Sequence, residues 1–207
     1  MTDTTITPQI IAAIDHTWGA ICARHRDVPE VVITFGAGSG SSHELTYGHF
    51  APERWQRGKS RLPEMFVAGE GLSRGARAVL GTLLHEAAHG VAAVRGIKDT
   101  SRQGRWHNTR FRALAGEVGI EVSQDPSIGW SVTSVPDATV WVYQAEMRRL
   151  ETALVAWRYS EVTASGRTNS NNGISVTCDC ARRIRLSLSV YEAGPVLCGL
   201  CGGAFSE

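Results

Sequence analysis

The chain has 207 residues, 43% of them hydrophobic and 20% charged, with a formal charge of +1. That composition excludes a disordered polymer and provides for one core plus a small appendage. The near-zero charge excludes a global field toward nucleic acid or membrane, so any such contact must come from a local patch.

Residues 1–9 are polar and unlike a secretory signal, and no apolar run approaches the roughly eighteen residues of a membrane span, so a cytoplasmic location is expected. Thr7-Pro8 predicts a helix start, a capping hydroxyl followed by proline at the first helical position. Ile10, Ile11, Ile14, Trp18, Ile21 and Cys22 then recur at helical spacing to near His25, with Cys22 reading as a small buried hydrophobe. Residues 31–35, 44–50 and 65–68 have strand character. The glycine- and serine-rich run over 36–42 leads into a strand pattern rather than a helix, which predicts a hairpin connection between the first two strands and not a phosphate loop.

Ser73 is the expected cap of a central helix carrying Ala78, Leu80, Leu83, Leu84, Ala87 and Ala88 and stopped by Gly96. A polar loop over 97–106 follows, and Asn108 then caps a second helix with Phe111, Leu114 and Val118 inward, closed by Gly119. Pro136-Asp137 opens a third, long helix in which Val140, Tyr143, Met147, Leu150, Leu154 and Trp157 form a stripe that reads as core packing, with a dimer seam as the lesser reading. The Ser/Thr/Asn/Gly stretch over 160–173 reads as a linker.

The central helix contains Leu83-Leu84-His85-Glu86-Ala87-Ala88-His89-Gly90, an HExxH sequence. Residues four apart on a helix differ by about 40° in azimuth and one turn in height, so His85 and His89 present their imidazoles to one point. Glu86, adjacent to the first histidine, is placed to reach a water rather than the same ion and is the expected general base. The bland reading of both histidines, ordinary helix residues with one hydrogen-bonded in the core, stands beside this one.

A catalytic zinc takes three protein ligands, so a third donor is needed. A metzincin extension would put glycine and histidine where Ala92 and Arg95 stand, which excludes that class. His107, in Gly104-Arg105-Trp106-His107-Asn108-Thr109-Arg110-Phe111, is preferred over Glu117, with Glu117 or Asp99 as partners for a ligating imidazole. Cys178-Asp179-Cys180 and Cys198-Gly199-Leu200-Cys201 make a second set, with a strand-like stretch over 182–191 between them. In a chain without a signal sequence such pairs point to a structural zinc before a disulfide, and to a ribbon that depends on its metal.

The sequence from Leu83 to His89, followed by His107-Asn108-Thr109-Arg110-Phe111, resembles the SprT-like metallopeptidases, the group that includes the Spartan proteases. Tyr47-Gly48-His49-Phe50-Ala51-Pro52-Glu53-Arg54-Trp55 is similar to the strand and turn that this family places before its catalytic helix, and many members end in a small zinc ribbon. The resemblance covers residues 8–122 and 174–204; the loop between His89 and His107 and the helix after Val140 are longer than the family pattern. It implies an α+β fold: a zincin-like domain over 1–125 with a small antiparallel or mixed sheet on the HExxH helix, a helical spacer over 126–165 and a β zinc ribbon over 166–207.

The expected activity is zinc-dependent hydrolysis of peptide bonds, with one catalytic zinc on His85, His89 and His107, one structural zinc on Cys178, Cys180, Cys198 and Cys201, and Glu86 as base. The expected partner is a protein or peptide, paired to an exposed strand edge at residues 65–68. The resemblance extends this to DNA-associated proteins, with Arg182, Arg183 and Arg185 of the ribbon against phosphates, although three arginines on a solvated strand also read as plain surface. Tyr47, His43 and His49 are the nearby candidates for oxyanion stabilisation, and spacing selects none of them. The alternative from another class is a nucleic-acid-binding ribbon protein whose HExxH domain is not catalytic. Metal-dependent hydrolysis of a non-peptide is a third reading.

Overall fold

A computed structural model of the chain describes residues 5–41, 44–159 and 173–207. His43 and most of the expected linker over 160–173 lie outside those residues. The chain divides into two compact units, Met1–Thr163 and Ala164–Glu207.

The first unit opens with α1, Ile6–Arg24, which begins just before the predicted Thr7 and buries Ile10, Ile14, Trp18 and Ile21. Pro8 therefore sits in the first turn, where its missing N–H costs no helical hydrogen bond. The strands β1 (Val32–Gly36), β2 (Ser39–Ser41), β3 (Glu44–Thr46), β4 (Gly48–Arg57) and β5 (Ser60–Ala68) follow. The single strand predicted over 44–50 is broken at Tyr47. The hairpin expected to join the first two strands is instead β2 with β3, while β1 pairs in parallel with β5 and the sheet order is β1-β5-β4.

This order corrects the predicted substrate edge. Residues 65–68 lie in the central strand, with Met65, Val67 and Ala68 buried, and the edges belong to β1 and β4. The β4–β5 hairpin turns at Gly58, whose φ of 61° is the left-handed conformation that glycine adopts without strain. Its outer arm is exposed over most of β4, so it carries little alternating apolar pattern to read.

A 3-10 turn, Gly69–Arg74, precedes α2 (Ala76–Val94). Ser73 does not cap that helix: its hydroxyl donates to the Glu70 carbonyl at 2.8 Å, and Gly75 occupies the cap position. The other end stops as expected, with Gly96 at φ 64° and the Ile97 amide turned back to the Ala92 carbonyl. Helix α2 is the core of the unit, burying Val79, Leu80, Leu83, Leu84, Ala87, Ala88 and Val91.

After α2 come β6 (Thr100–Ser101), β7 (Trp106–His107), α3 (Thr109–Glu117), β8 (Glu121–Asp125) and β9 (Gly129–Ser134). The predicted polar loop thus holds two short strands, and a second sheet forms in the order β6-β7-β9-β8. Residues 126–165, expected to be a helical spacer, contribute β9 and two helices to the first unit, α4 (Asp137–Val142) and α5 (Gln144–Ala153). The predicted long helix is interrupted at Tyr143, whose ring is buried, and its stripe ends early, leaving Trp157 exposed. Tyr143, Met147 and Leu150 pack in the core as the stripe predicted.

The second unit is the hairpin β10 (Ile174–Thr177) and β11 (Arg183–Leu186), followed by the short helix α6 (Leu188–Glu192). The strand-like stretch predicted over 182–191 ends at Leu186 because the Ser187 hydroxyl accepts from the Val190 amide and starts a helix. Both units together make a mixed α+β chain. Among the described residues, no helix is long and apolar enough to cross a membrane.

Candidate metal centres

His85 and His89 lie one turn apart on α2, and β7 brings His107 against them. The Asn108 side chain sets that approach: its oxygen accepts from the Arg110 and Phe111 amides at the start of α3, and its nitrogen donates to the Lys98 carbonyl. The cap thus ties the loop carrying Asp99 to the helix start that carries His107. The Phe111 ring lies beneath all three imidazoles, 4.6 Å from each by centroid. From the other side, Gly129 at φ 78° leaves no room for a Cβ beside the His107 carbonyl, which lets β9 close on β7.

The outer nitrogen of each imidazole has its own partner. His89 Nδ1 lies 2.6 Å from Asp99 Oδ2, and His107 Nδ1 lies 3.2 Å from the Ile128 carbonyl. His85 Nδ1 lies 2.9 Å from Thr133 Oγ1, whose own proton goes to the Ser131 carbonyl. All three partners accept, which places a proton on each Nδ1, so each imidazole in its neutral form presents its lone pair at Nε2.

Those lone pairs converge. His107 Nε2 is 3.3 Å from His85 Nε2 and 3.2 Å from His89 Nε2. With no proton between them the contacts repel unless a cation sits among them. For metal–nitrogen bonds of about 2.0–2.1 Å, a tetrahedral edge is about 3.3–3.4 Å, so the spacing fits a tetrahedral metal with three imidazole donors. The chemistry of the donor set and its spacing therefore both fit a divalent ion.

Protonation is suppressed here. Burial, with His89 and His107 beside it, holds His85 well below the usual histidine range, and burial and His89 lower His107. Glu86 is 5% exposed, and burial raises its carboxyl above the ordinary value against the pull of His89 and His49 and a hydrogen bond from the Phe50 amide. These groups open into a cleft of ≈ 1760 Å³, walled by β4 on one side and by β9 and the loop before His107 on the other.

Asp99 is the predicted partner of a ligating imidazole. Glu117, the weaker candidate for third ligand, is elsewhere: its carboxylate is 2.7 Å from Arg95 at the far end of α2. Thr133 and the Ile128 carbonyl escaped the sequence reading, since a threonine on an unforeseen strand and a backbone oxygen carry no motif. His49 and Tyr47 both line the cleft. His49 stacks on Phe66 and is 3.1 Å from Glu64 Oε1, and Tyr47 lies under Arg74.

In the second unit, the four thiol sulfurs of Cys178, Cys180, Cys198 and Cys201 lie within 4.8 Å of one another. Cys180 Sγ is 3.2 Å from Cys178 Sγ and 3.7 Å from Cys198 Sγ, and none of the four is in a disulfide. For metal–sulfur bonds of about 2.3 Å the tetrahedral edge is about 3.8 Å, which this cluster approaches. The Cys201 and Leu200 amides lower the Cys198 thiol to about 6, while Cys178 beside it raises Cys180 to about 12. Arg182 Nη1 lies 3.7 Å from Cys198 Sγ, so this arginine faces the cluster. Arg183 and Arg185 are exposed on β11.

Both clusters are thus able to hold a metal ion by the type and spacing of their donors. No family model, curated protein or solved structure matches the chain.

Proposed function

We propose that the first unit is a zinc-dependent peptidase of SprT-like, zincin-like character, with His85, His89 and His107 holding a catalytic zinc, and that Cys178, Cys180, Cys198 and Cys201 hold a structural one. The observation that carries this reading is the convergence of three imidazole Nε2 atoms in an open cleft, with a buried carboxylate on the residue after the first histidine. Zinc supports both donor sets, three imidazoles with a position left open and four thiolates closed. When bound in the first site, it supplies Lewis acidity, which acidifies water and polarises a carbonyl.

The chain's own residues supply the rest. Glu86 takes a proton from the attacking water and returns it to the departing amine, a task suited by burial that raises its proton affinity above that of an ordinary carboxylate. The Phe50 amide holds the carboxylate in place. Asp99, Thr133 and the Ile128 carbonyl fix the imidazole tautomers and keep each Nε2 free of a proton.

The β4 edge supplies the groove for a peptide backbone. The Tyr47 carbonyl accepts from Ala68, so the Gly48 N–H and carbonyl and the Phe50 carbonyl turn away from β5 toward the cleft, while the Phe50 amide is committed to Glu86. Pro52 lacks an N–H and ends the usable edge. A substrate strand added beside residues 48–50 runs past Glu86.

The test is hydrolysis of an unfolded protein by zinc-loaded chain and by Glu86→Gln. Loss of cleavage with zinc retained supports the reading. Cleavage that survives the substitution removes it.

Contact with DNA is a second reading, favoured by Arg183 and Arg185 on the exposed face of β11 while Ile184 and Leu186 turn inward. Single-stranded DNA binding that weakens with salt and with Arg183→Gln/Arg185→Gln supports it, whether for a protease acting on DNA-associated proteins or for a binding module.

A further inference from the structure

The walls of the cleft are electrostatically one-sided. Their arginines are Arg74, Arg77, Arg102 and Arg105, and their carboxylates are Glu86 and Asp99, both committed to the metal site. Arg77 has Asp137 as counter-ion. Arg74, Arg102 and Arg105 have no carboxylate partner among the described residues.

Of these, Arg74 is the most firmly placed. Its guanidinium lies 3.6 Å above the centre of the Tyr47 ring. Nη2 donates to Thr82 Oγ1 at 2.7 Å, and Nε points to the Gly71 carbonyl at 3.4 Å. Gly71 makes the stack possible, since a Cβ there would come within 3.1 Å of the Tyr47 ring. A planar cation fixed on three sides, with no partner for Nη1 among the described residues, is pre-organised to donate from Nη1 to a carboxylate oxygen. The residue as a whole is exposed, yet burial of its guanidinium lowers its pKa from the ordinary arginine value, and only Tyr47 pulls the other way.

Thr82 is one turn before Glu86, about 6 Å along the axis of α2. A Cβ at Gly48 would meet Thr82 Cγ2 at 2.7 Å and Glu86 Oε1 at 3.2 Å, so the start of the β4 edge crosses both residues. Arg74, bonded to Thr82, is therefore anchored one helical turn from Glu86, at the same point of the β4 edge.

We propose that Tyr47, Arg74 and Thr82 form a substrate subsite that takes a carboxylate of the bound peptide close to the scissile bond. The carboxylate comes either from an aspartate or glutamate side chain or from the peptide's own C-terminus, which would make the enzyme release short C-terminal fragments. A peptide is favoured over a nucleic acid because the subsite continues a strand edge where Gly48 presents both an N–H and a carbonyl, which a peptide backbone answers with an acceptor and a donor, whereas a phosphodiester backbone only accepts. This subsite rests on the peptidase reading.

The experiment separates the two. Zinc-loaded Glu86→Gln, which can bind without turning over, is titrated with fluorescent extended peptides. One set carries glutamate at successive positions with an amidated C-terminus, another has neutral side chains with a free C-terminus, and a third is neutral throughout and amidated. One carboxylate-bearing set should bind more tightly than the neutral set by on the order of ten-fold, and which set does so identifies the source. In Glu86→Gln/Arg74→Gln the ratio should fall to about one, and Thr82→Val should lower it in part by releasing Nη2. Equal binding of all three sets, or a preference that survives both substitutions, overturns the subsite. Arg74-dependent displacement of the acidic peptide by a short oligonucleotide overturns it in favour of a phosphate ligand. Cleavage of these peptides by the Glu86 enzyme is scored separately: binding preference without any cleavage removes the peptidase reading and leaves the carboxylate site standing.

Discussion

The histidine cluster and the cysteine cluster are both arranged for a metal, but they are held in place by different means. The three imidazoles rest on Phe111 and on a helix with a dozen buried residues, and each Nδ1 is tied to a separate element. The second unit's buried cluster is Val176, Cys178, Cys198 and Phe205, so two of its four buried members are themselves candidate ligands. In the first unit the fold makes the site. In the second the site makes the fold, as expected where an apolar core is too small to offset chain entropy.

The largest effect follows from that difference. Chelation of the intact chain should unfold the second unit and leave the first folded, since structural zinc contributes about 10–16 kcal/mol of apparent binding energy in small modules. Heteronuclear NMR would show amide signals of β10, β11 and residues 196–206 collapsing to random-coil positions while those of α2 keep their dispersion, and Cys198→Ser should do the same without chelator. A stripped chain in which Val176 and Phe205 stay dispersed would break the comparison.

The next effect is chemical. Glu86→Gln should lower peptide hydrolysis by about 10²–10⁴-fold, the usual range for losing a general base. Elemental analysis should still find two zinc ions per chain, because Glu86 is not among the converging donors. Zinc falling to one would mean that the carboxylate holds the ion, and its role as base would have to be given up.

How far these sites could be read in advance tracks how local their determinants are. The His85–His89 face, the Asn108 cap and the Gly96 stop depend on spacing within one or two turns and are visible in the chain itself. The four cysteines are visible for the same reason, and Asp99 follows from proximity to the loop. What stayed hidden depends on distant pairing. The edge role of β4 is fixed by β5 lying between it and β1, and the strand carrying Thr133 has a burial pattern too mixed to stand out. The break at Tyr143 was hidden by its own regularity: the apolar spacing runs straight through a residue whose φ and ψ of −101° and 23° end one helix and start another.

A smaller effect sharpens the contrast between borrowed and intrinsic order. Asp99→Asn should weaken metal binding at the histidine site by about 10–100-fold while leaving the unit folded. Competition against a chromophoric chelator would measure it. The matching change in the second unit, Arg182→Gln, should cost less, because the Leu200 and Cys201 amides still stabilise the Cys198 thiolate. Equal losses in the two units would mean that the partners of the imidazoles do no more than a single long contact to sulfur.

The smallest effect is the pH dependence of the metal-free first unit. His85 and His107 resist protonation in the folded chain, so as pH falls through their ordinary value of 6.5 the unfolded chain binds more protons and the folded state loses stability. His25, lowered by burial and by Arg24, adds in the same direction. Glu86 has the opposite sign: its raised carboxyl makes the folded chain the better proton binder above the ordinary 4.5, so its contribution declines as pH rises through the folded value. Hydrogen exchange of the α2 amides should therefore slow between about pH 5.5 and about pH 7.5 after correction for intrinsic rates. His107→Gln should flatten that slope, and Glu86→Gln should steepen it where the two contributions overlap. The second unit has no histidine in its sequence, so none of the slope can come from side-chain imidazoles there. A slope unchanged by both substitutions would mean that the imidazoles are not held neutral by their burial, and that the site waits for its ion as the cysteine cluster does.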